Sequence, residues 1–221
     1  MKKIDELFDN MDSWRNLPAY QLERRADIFF SVYIPDLLRE KFNFNIDGII
    51  PEFPIRVGTI YSQVDINKSF KVDYLAKVKN ELKVIFLELK TDDSSRRRKQ
   101  DWYLERAQQA GLTMLLQGLL KIYQATSSKG KYEYLFEKLL EMGFVSQDNR
   151  GKFNIIQADY DIQIVYLQPN NLSNQGSVIS FREASDIIKK HGDELSLRFS
   201  TSLLQWASVQ AGETLPGKPL I

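Results

Sequence analysis

Apolar residues recur at helical spacing over several long stretches of the chain. The stretch 19–42 has a wide apolar stripe and is predicted to form a helix. Pro35 is expected to kink or restart this helix, because proline cannot donate a hydrogen bond to the preceding turn. A second stripe predicts one long helix that follows the basic run beginning at Arg96 and ends near Gln124. Further helices are predicted over 131–142, 181–190 and 194–209.

Shorter runs rich in β-branched and aromatic residues predict strands between these helices. A strand is expected near 55–64, after a loop at 48–54 that contains two prolines, and another over 160–167. The tract 145–153 is interpreted as a polar loop or a weak hairpin. The predicted order is a helix, a β meander, more helices, a strand and terminal helices. This order predicts an α/β fold with a central mixed sheet.

Two further β-like runs, 70–79 and 82–90, lie on either side of the dipeptide Asn80-Glu81. Their spacing predicts an antiparallel hairpin. Any loop of even length centred on this dipeptide pairs residues whose numbers sum to 161. The register of the hairpin is therefore a direct prediction of the sequence.

This register places Asp73 opposite Glu88 on one face of the sheet. Lys90 is expected on the same face, because residues two apart on a strand point to the same side. The other face of the hairpin is apolar. Two opposed carboxylates repel each other and destabilise a sheet, so the pattern indicates a bound divalent cation.

Composition narrows the class of protein. The chain has 221 residues, of which 43% are hydrophobic, which predicts one compact enzyme-sized domain over 1–221. It has no cysteine, which excludes disulfides, thiolate metal sites and cysteine nucleophiles. Its 30 basic and 29 acidic residues nearly balance, so nucleic-acid binding would need a local basic patch. No signal-peptide or membrane-spanning pattern occurs, so a cytoplasmic protein without a membrane partner is expected.

An Asp on one strand, followed on the next strand by Glu-x-Lys, resembles the motif of the PD-(D/E)XK nuclease superfamily. In this chain the motif residues are Asp73 and Glu88-Leu89-Lys90. Gln100 and Tyr103 lie where the RecB-like branch of the superfamily has a Gln-x-x-(x)-Tyr signature. One departure is that Val72 precedes the Asp, where many members have proline.

The resemblance covers roughly residues 20–168 and implies a restriction-endonuclease-like core with the order α-β-β-β-α-β. The helices expected at about 178–210 would be a C-terminal extension of this core. The implied activity is Mg²⁺-dependent hydrolysis of phosphodiester bonds, with Mn²⁺ as a substitute ion. The implied partner is nucleic acid, DNA in preference to RNA, and assembly as a homodimer is left open.

Mg²⁺ is a hard cation that proteins hold with carboxylates and water, which suits an acidic pair without His or Cys. Asp73 and Glu88 would be its ligands, and the resemblance adds the Leu89 main-chain carbonyl as a third. Lys90 would orient the attacking water and neutralise developing charge.

Two more polar residues are candidates for the same site. Many members of the superfamily place an acid on the first helix, and Glu23 is the preferred residue here, with Asp27, one turn later, as the alternative. Both acids also suit a solvated helix face with neighbouring arginines. Gln100, at the start of the long helix, could bind a phosphate or the attacking water, although a surface glutamine is common at such a position.

A basic run with aromatic residues behind it follows Lys90 closely. It consists of Arg96, Arg97, Arg98, Lys99, Trp102 and Tyr103. Arginine and lysine bind phosphate and aromatic rings stack on bases, so this segment is predicted to bind nucleic acid. Basic runs of this kind are also frequent in exposed loops that bind nothing.

The acidic pair and Lys90 also allow a purely structural interpretation, a solvated sheet face held by ion pairs. The chain would then be a catalytically inactive module with a nuclease fold that binds nucleic acid or a partner protein. A third interpretation is an interaction protein whose long helices mediate oligomerisation. Apolar faces left exposed on 98–124 or 131–142 would favour this third interpretation.

Overall fold

The computed structural model of the chain describes residues 2–61, 67–92, 98–171 and 177–208. They form an α/β protein with a central mixed sheet of five strands flanked by helices, which agrees with the predicted fold class. The chain divides into two compact units. Among the described residues, the first unit comprises 2–43, 89–92, 166–171 and 177–208. The second unit comprises 44–61, 67–88 and 98–165. The single domain expected over 1–221 stays a prediction.

Eight α-helices are assigned in the described residues. They are α1 (Lys3–Trp14), α2 (Leu22–Phe42), α3 (Val57–Ile60), α4 (Arg98–Ala110), α5 (Leu112–Ala125), α6 (Lys129–Glu141), α7 (Phe181–Ile188) and α8 (Glu194–Ser208). The predictions for α2, α6, α7 and α8 are confirmed to within a few residues, whereas α1 and α3 were not predicted. Pro35 lies inside α2 and does not end it. In the described part of the chain, no helix has both the length and the apolar character needed to cross a membrane.

The strands are β1 (Ile46–Arg56), β2 (Ser69–Val78), β3 (Lys83–Leu89), β4 (Val145–Gln147), β5 (Phe153–Ile155), β6 (Asp161–Gln168) and β7 (Ser177–Ser180). The large sheet has the order β1-β2-β3-β6-β7, and β4 and β5 form a separate antiparallel pair. β2 is antiparallel to both β1 and β3. β6 runs parallel to β3, because the N–H of Asp161 donates to the Leu82 carbonyl and the N–H of Lys90 to the Leu167 carbonyl.

The second unit is built on the meander β1–β2–β3. β3 is buried along almost its whole length, as is typical of a strand in the interior of a sheet. The rings of Phe53 on β1 and Phe86 on β3 pack with centroids 6.3 Å apart. Gly118 of α5 lies so close to Thr59 of α3 that a Cβ would overlap the threonine hydroxyl. Close packing of these two helices therefore requires glycine at this position.

The loop predicted at 48–54 and the strand predicted near 55–64 are both wrong. β1 includes the first of these ranges and ends at Arg56, after which the chain turns into α3. The last residues of the predicted strand lie outside the described part of the chain. β1 is at the edge of the sheet, where an N–H on the open side needs no partner, so Pro51 and Pro54 do not prevent pairing with β2.

The single long helix predicted to end near Gln124 is also wrong, because α4 and α5 are separate helices. Gly111 lies between them with φ 77° and ψ 152°, a conformation that residues with a Cβ rarely adopt. The break changes the direction in which the following side chains point. On α5, Met114 is exposed, whereas Leu115 and Leu119 are buried.

The first unit has a core of aromatic rings from α1, α2, α7 and α8. Phe199 of α8 packs against Phe8 of α1 and Phe30 of α2, with ring centroids 5.7 and 4.9 Å apart. Trp206 of α8 is fully buried, and its indole N–H donates a 2.7 Å hydrogen bond to Asp12 of α1. α1 is therefore held by a helix from the other end of the chain.

Candidate functional site

The register predicted for the β2–β3 hairpin is confirmed in the second unit. The paired residues are Tyr74–Leu87, Leu75–Phe86, Ala76–Ile85 and Lys77–Val84, and each pair sums to 161. Continued by one residue, this register sets Asp73 across from Glu88. Asp73 is partly buried, and Glu88 is 0% exposed. A carboxylate this deeply buried on an interior strand needs polar partners to offset its lost hydration.

Gln100 supplies one such partner. Its side-chain amide donates a hydrogen bond to Glu88 Oε2. Because α4 begins at Arg98, this amide lies in the first turn of the helix, where the sequence placed it. Gln100 was predicted to bind a phosphate or the attacking water. In the structure its amide donates a hydrogen bond to the Glu88 carboxylate. A neutral donor satisfies a carboxylate oxygen without removing its charge.

Lys90 lies in the first unit, directly after the end of β3. Its backbone N–H donates a 2.8 Å hydrogen bond to the Leu167 carbonyl, so the strand pairing continues through this residue. The residue is only 4% exposed. Its Nζ donates a 2.9 Å hydrogen bond to the Leu89 carbonyl and lies 4.0 Å from Glu23 Oε2. The ammonium group is therefore buried and held between oxygen atoms.

The two acids of α2 that the sequence offered as alternatives have different contacts. Glu23, in the first turn of α2, is beside Lys90 within the first unit. Asp27, one turn later, accepts a 2.6 Å hydrogen bond from the backbone N–H of Ile28. Glu23 thus contacts a predicted site residue, Lys90. Its role as a metal ligand stays a prediction.

Among the described residues, there is no group of three or more Asp, Glu, His or Cys side chains that could hold a metal ion. The role of Asp73 and Glu88 as metal ligands stays a prediction. The Leu89 carbonyl, expected as a third ligand, accepts the hydrogen bond from Lys90 Nζ. A carbonyl oxygen has two acceptor positions, so this bond does not by itself exclude a metal.

The described part of the basic–aromatic segment lies on α4 in the second unit, and it comprises Arg98, Lys99, Trp102 and Tyr103. The predicted contributions of Arg96 and Arg97 lie outside the described residues. Tyr103 stacks on Phe70 of β2, with ring centroids 5.0 Å apart and planes at 15°. Lys99 Nζ is 5.7 Å from the Tyr103 ring centroid. Tyr103 thus anchors α4 to the sheet.

Two neighbours of Trp102 were missed by sequence reasoning. The guanidinium of Arg106 lies over the Trp102 ring, 5.4 Å from its centroid, and the Tyr61 ring lies 6.3 Å away at 64°. Arg106 could have been found, because it is four residues after Trp102 on the same helix. Tyr61 comes from the chain after α3, and no local pattern connects it with Trp102.

In the second unit, the buried Glu88 is held by Gln100, and basic and aromatic side chains lie on α4. In the first unit, the buried Lys90 lies beside Glu23. The chain matches no protein-family model, no curated protein and no solved structure.

Proposed function

We propose that this chain is a metal-dependent nuclease that hydrolyses phosphodiester bonds, with DNA favoured over RNA as its substrate. The observation that supports the proposal is the β2–β3 register, in which the numbers of paired residues sum to 161. Continued by one residue, this register would set Asp73 across from the fully buried Glu88. Opposed acids on a sheet cost stability unless a cation lies between them. Proteins keep such pairs where chemistry requires them.

The proposal extends to the fold. The order α2-β1-α3-β2-β3-α4, followed later by β6, becomes the α-β-β-β-α-β series of a restriction-endonuclease-like core when the four-residue helix α3 is taken as an insertion. The parallel pairing of β6 with β3, next to two antiparallel pairs, supports the same assignment. In this interpretation α7 and α8 are the C-terminal extension, and α1 is an addition before the core.

The donor chemistry fits Mg²⁺ or Mn²⁺. Asp73 and Glu88 offer carboxylate oxygens, which these hard cations prefer, and Mg²⁺ is often held by only one or two carboxylates with water and substrate phosphate. When bound, the cation supplies Lewis-acid stabilisation of charge on the phosphoryl oxygens. Gln100 would orient Glu88 through its hydrogen bond and so keep the carboxylate in one position.

Lys90 is the group proposed to act on the attacking water. Its side chain is buried and held near the Leu89 carbonyl and Glu23, so its ammonium has little freedom to move away. In this role the amine orients the water by hydrogen bonding and stabilises the negative charge that develops on the phosphate. Glu23 is proposed as the residue that positions the amine.

One observation favours a second candidate, a catalytically inactive nuclease-fold module that binds nucleic acid. Within the described ranges no third acidic side chain joins a metal-binding group. A buried Lys90 paired with Glu23 is also what a structural ion pair would look like. The third interpretation, oligomerisation through long helices, gains little. Met114, Tyr134 and Leu140 on α5 and α6 are exposed, but scattered exposed apolar side chains are common on monomers.

A cleavage assay separates these candidates. Supercoiled plasmid, linear duplex, single-stranded DNA and RNA are each incubated with the protein in Mg²⁺, in Mn²⁺ and in EDTA. The nuclease proposal expects cleavage of at least one DNA substrate that depends on the divalent ion and is lost in EDTA. Retention of the DNA in a gel without cleavage in either metal would support the inactive module instead.

A further inference from the structure

Trp102, Tyr61 and Arg106 form an exposed cluster in the second unit, here called the aromatic platform. Trp102 is 36% exposed and Tyr61 is 41% exposed, and Arg106 lies over the Trp102 ring. Tyr103, the next residue after Trp102, differs because its ring is stacked on Phe70 of the sheet. The platform is therefore mounted on a helix whose position Tyr103 secures.

The platform shares α4 with Gln100, whose amide holds the buried Glu88. Both groups belong to the second unit. Arg98, Trp102 and Arg106 are spaced four residues apart and lie on one side of the helix. The platform thus lies on the helix whose first turn holds Glu88, the proposed metal ligand.

Charge alone does not account for this surface. Glu105 is exposed next to Arg106, and Asp101 lies in the first turn of α4, so acidic side chains offset part of the positive charge of the helix. A surface that attracted only the phosphate backbone would not need two half-exposed aromatic rings. Rings with a stacked arginine are the chemistry that binds the flat faces of nucleobases.

We infer that Tyr61 and Trp102 stack unpaired nucleobases of the substrate, with Arg106 contacting the adjoining phosphate. The substrate class is accordingly a single strand, or a duplex with unpaired bases, because paired bases in a duplex do not offer their faces to a side chain. This inference rests on the proposed nuclease function and specifies the substrate of that site.

The test is equilibrium binding in EDTA, which prevents cleavage, with a labelled single-stranded oligonucleotide. Two probes of the same length serve as comparisons, a blunt duplex of the same sequence and a strand of abasic residues that keeps the phosphates. The wild-type protein should bind the normal strand roughly 5- to 150-fold more tightly than the abasic strand, the factor expected for stacking one base. Trp102→Ala should reduce this preference to the part that stacking on Tyr61 supplies, and Trp102→Phe should keep most of it.

Trp14→Ala is the matched control, because Trp14 is 46% exposed on α1 in the first unit. It should leave binding of all three probes unchanged. Fluorescence adds an independent measurement. The chain has three tryptophans, and Trp14→Phe leaves Trp102 as the exposed one, since Trp206 is fully buried. Quenching of this variant by the normal strand, and little quenching by the abasic strand, is the expected result.

Equal affinity for normal and abasic strands, or equal effects of Trp102→Ala and Trp14→Ala, would overturn the inference. A platform that instead covers a partner protein or a second copy of the chain would give the same negative result. Cleavage assays keep this outcome apart from failure of the nuclease proposal. Cleavage without base-dependent binding would reject only the platform, whereas base-dependent binding without cleavage in Mg²⁺ or Mn²⁺ would reject only the nuclease activity.

Discussion

The side-chain amide of Gln100 donates a hydrogen bond to the carboxylate of Glu88, a residue with no exposed surface. This contact connects the first turn of α4 with β3. A buried carboxylate without a donor would lose the hydration of its charge and gain nothing in return. Gln100 therefore does two things, since it satisfies one oxygen of Glu88 and limits the orientations that the carboxylate can adopt.

Replacement of Gln100 by alanine tests this positioning role. Gln100→Ala should lower the cleavage rate by roughly 10- to 100-fold, the usual cost of losing a residue that orients a metal ligand. The Mg²⁺ concentration needed for half-maximal rate should rise as well. Gln205→Ala, which changes an exposed glutamine on α8 in the first unit, is the control and should change neither value. A loss of rate without any change in metal dependence would argue for direct contact with substrate.

Lys90→Ala should reduce cleavage by about 10²–10⁴-fold, because a positioned proton-transfer or charge-stabilising group contributes a factor of this size. Lys90→Met retains the length of the buried side chain and should be equally inactive, which separates lost charge from lost packing. Lys71→Ala removes an exposed lysine that pairs with Glu52 and should retain activity. Circular dichroism checks that each variant is folded. Full activity of the folded Lys90 variants would place the chemistry elsewhere.

Asp73→Asn separates a metal site from a structural ion-pair network. If Asp73 and Glu88 are ligands, the metal-free protein contains their mutual repulsion, and removing one charge should raise its melting temperature by about 1–4 °C. The same change should abolish the stabilisation that Mn²⁺ gives the wild-type protein by mass action. Thermal melts of both proteins, in EDTA and in Mn²⁺, measure the two effects.

The control for this experiment is Asp161→Asn, which changes an exposed acid on β6 that pairs with Lys83. It should leave the response to Mn²⁺ intact. If the acidic pair is instead part of a salt-bridge network, Asp73→Asn should lower the melting temperature in EDTA. Mn²⁺ would then have little effect on the wild-type protein.

The break between α4 and α5 gives a prediction about stability. Gly111→Ala should destabilise the protein by about 1–3 kcal/mol, because φ 77° with ψ 152° is a conformation almost restricted to glycine. No atom lies near enough to clash with the new Cβ, so backbone strain is the cause. Gly130→Ala, inside α6, has the same open space without positive φ and should stabilise by up to about 1 kcal/mol. Urea unfolding of both variants should show opposite signs.

Asp193, which immediately precedes α8, gives a prediction about pH. The hydrogen bond from the backbone N–H of Ser196 lowers the pKa of the Asp193 carboxyl below its ordinary value. A lowered pKa in the folded state contributes stability above the ordinary pKa of aspartate, and this contribution is lost as pH falls through the folded-state pKa. Asp193→Ala should therefore lower the melting temperature by about 2–4 °C at pH 7. The difference from wild type should shrink in acid.

Asp159→Ala provides the comparison for the pH series. Asp159 is exposed and lies outside any helix or strand, so its loss should leave the melting temperature close to that of wild type at every pH. A difference between Asp193→Ala and wild type that persists unchanged into strong acid would show that the ionised carboxylate is not what stabilises the start of α8.

The hairpin was predictable because its determinants are local. Side-chain direction alternates with every residue of a strand, and the dipeptide Asn80-Glu81 marks the centre of a short loop. These two facts are enough to set the register that the structure has. The end of α6 was predictable for a similar reason, because a glycine, Gly143, comes shortly after it in the sequence. In the structure this glycine has a φ of 71°.

Other elements depend on neighbours that no local pattern identifies. The sequence does not show where in a sheet a strand will lie, so Pro51 and Pro54 predict a loop. The structure tolerates both prolines in a strand because β1 is at the edge of the sheet. Gly111 fitted the apolar stripe of one continuous helix, and packing instead selected a positive φ there. α1 was missed because its partners come from α8, at the opposite end of the sequence.

By itself, the sequence determined the α/β class, four of the helices to within a few residues and the register of the β2–β3 hairpin. Only the tertiary structure decided that Glu88 is fully buried and held by Gln100, that Glu23 lies beside Lys90, and that Tyr61 joins Trp102. The periodicity of apolar residues depends on covalent geometry and on near neighbours, so it can be recognised within a single stretch of the sequence. Burial of a charge and the choice of its partner depend on packing between distant segments, which local patterns do not contain.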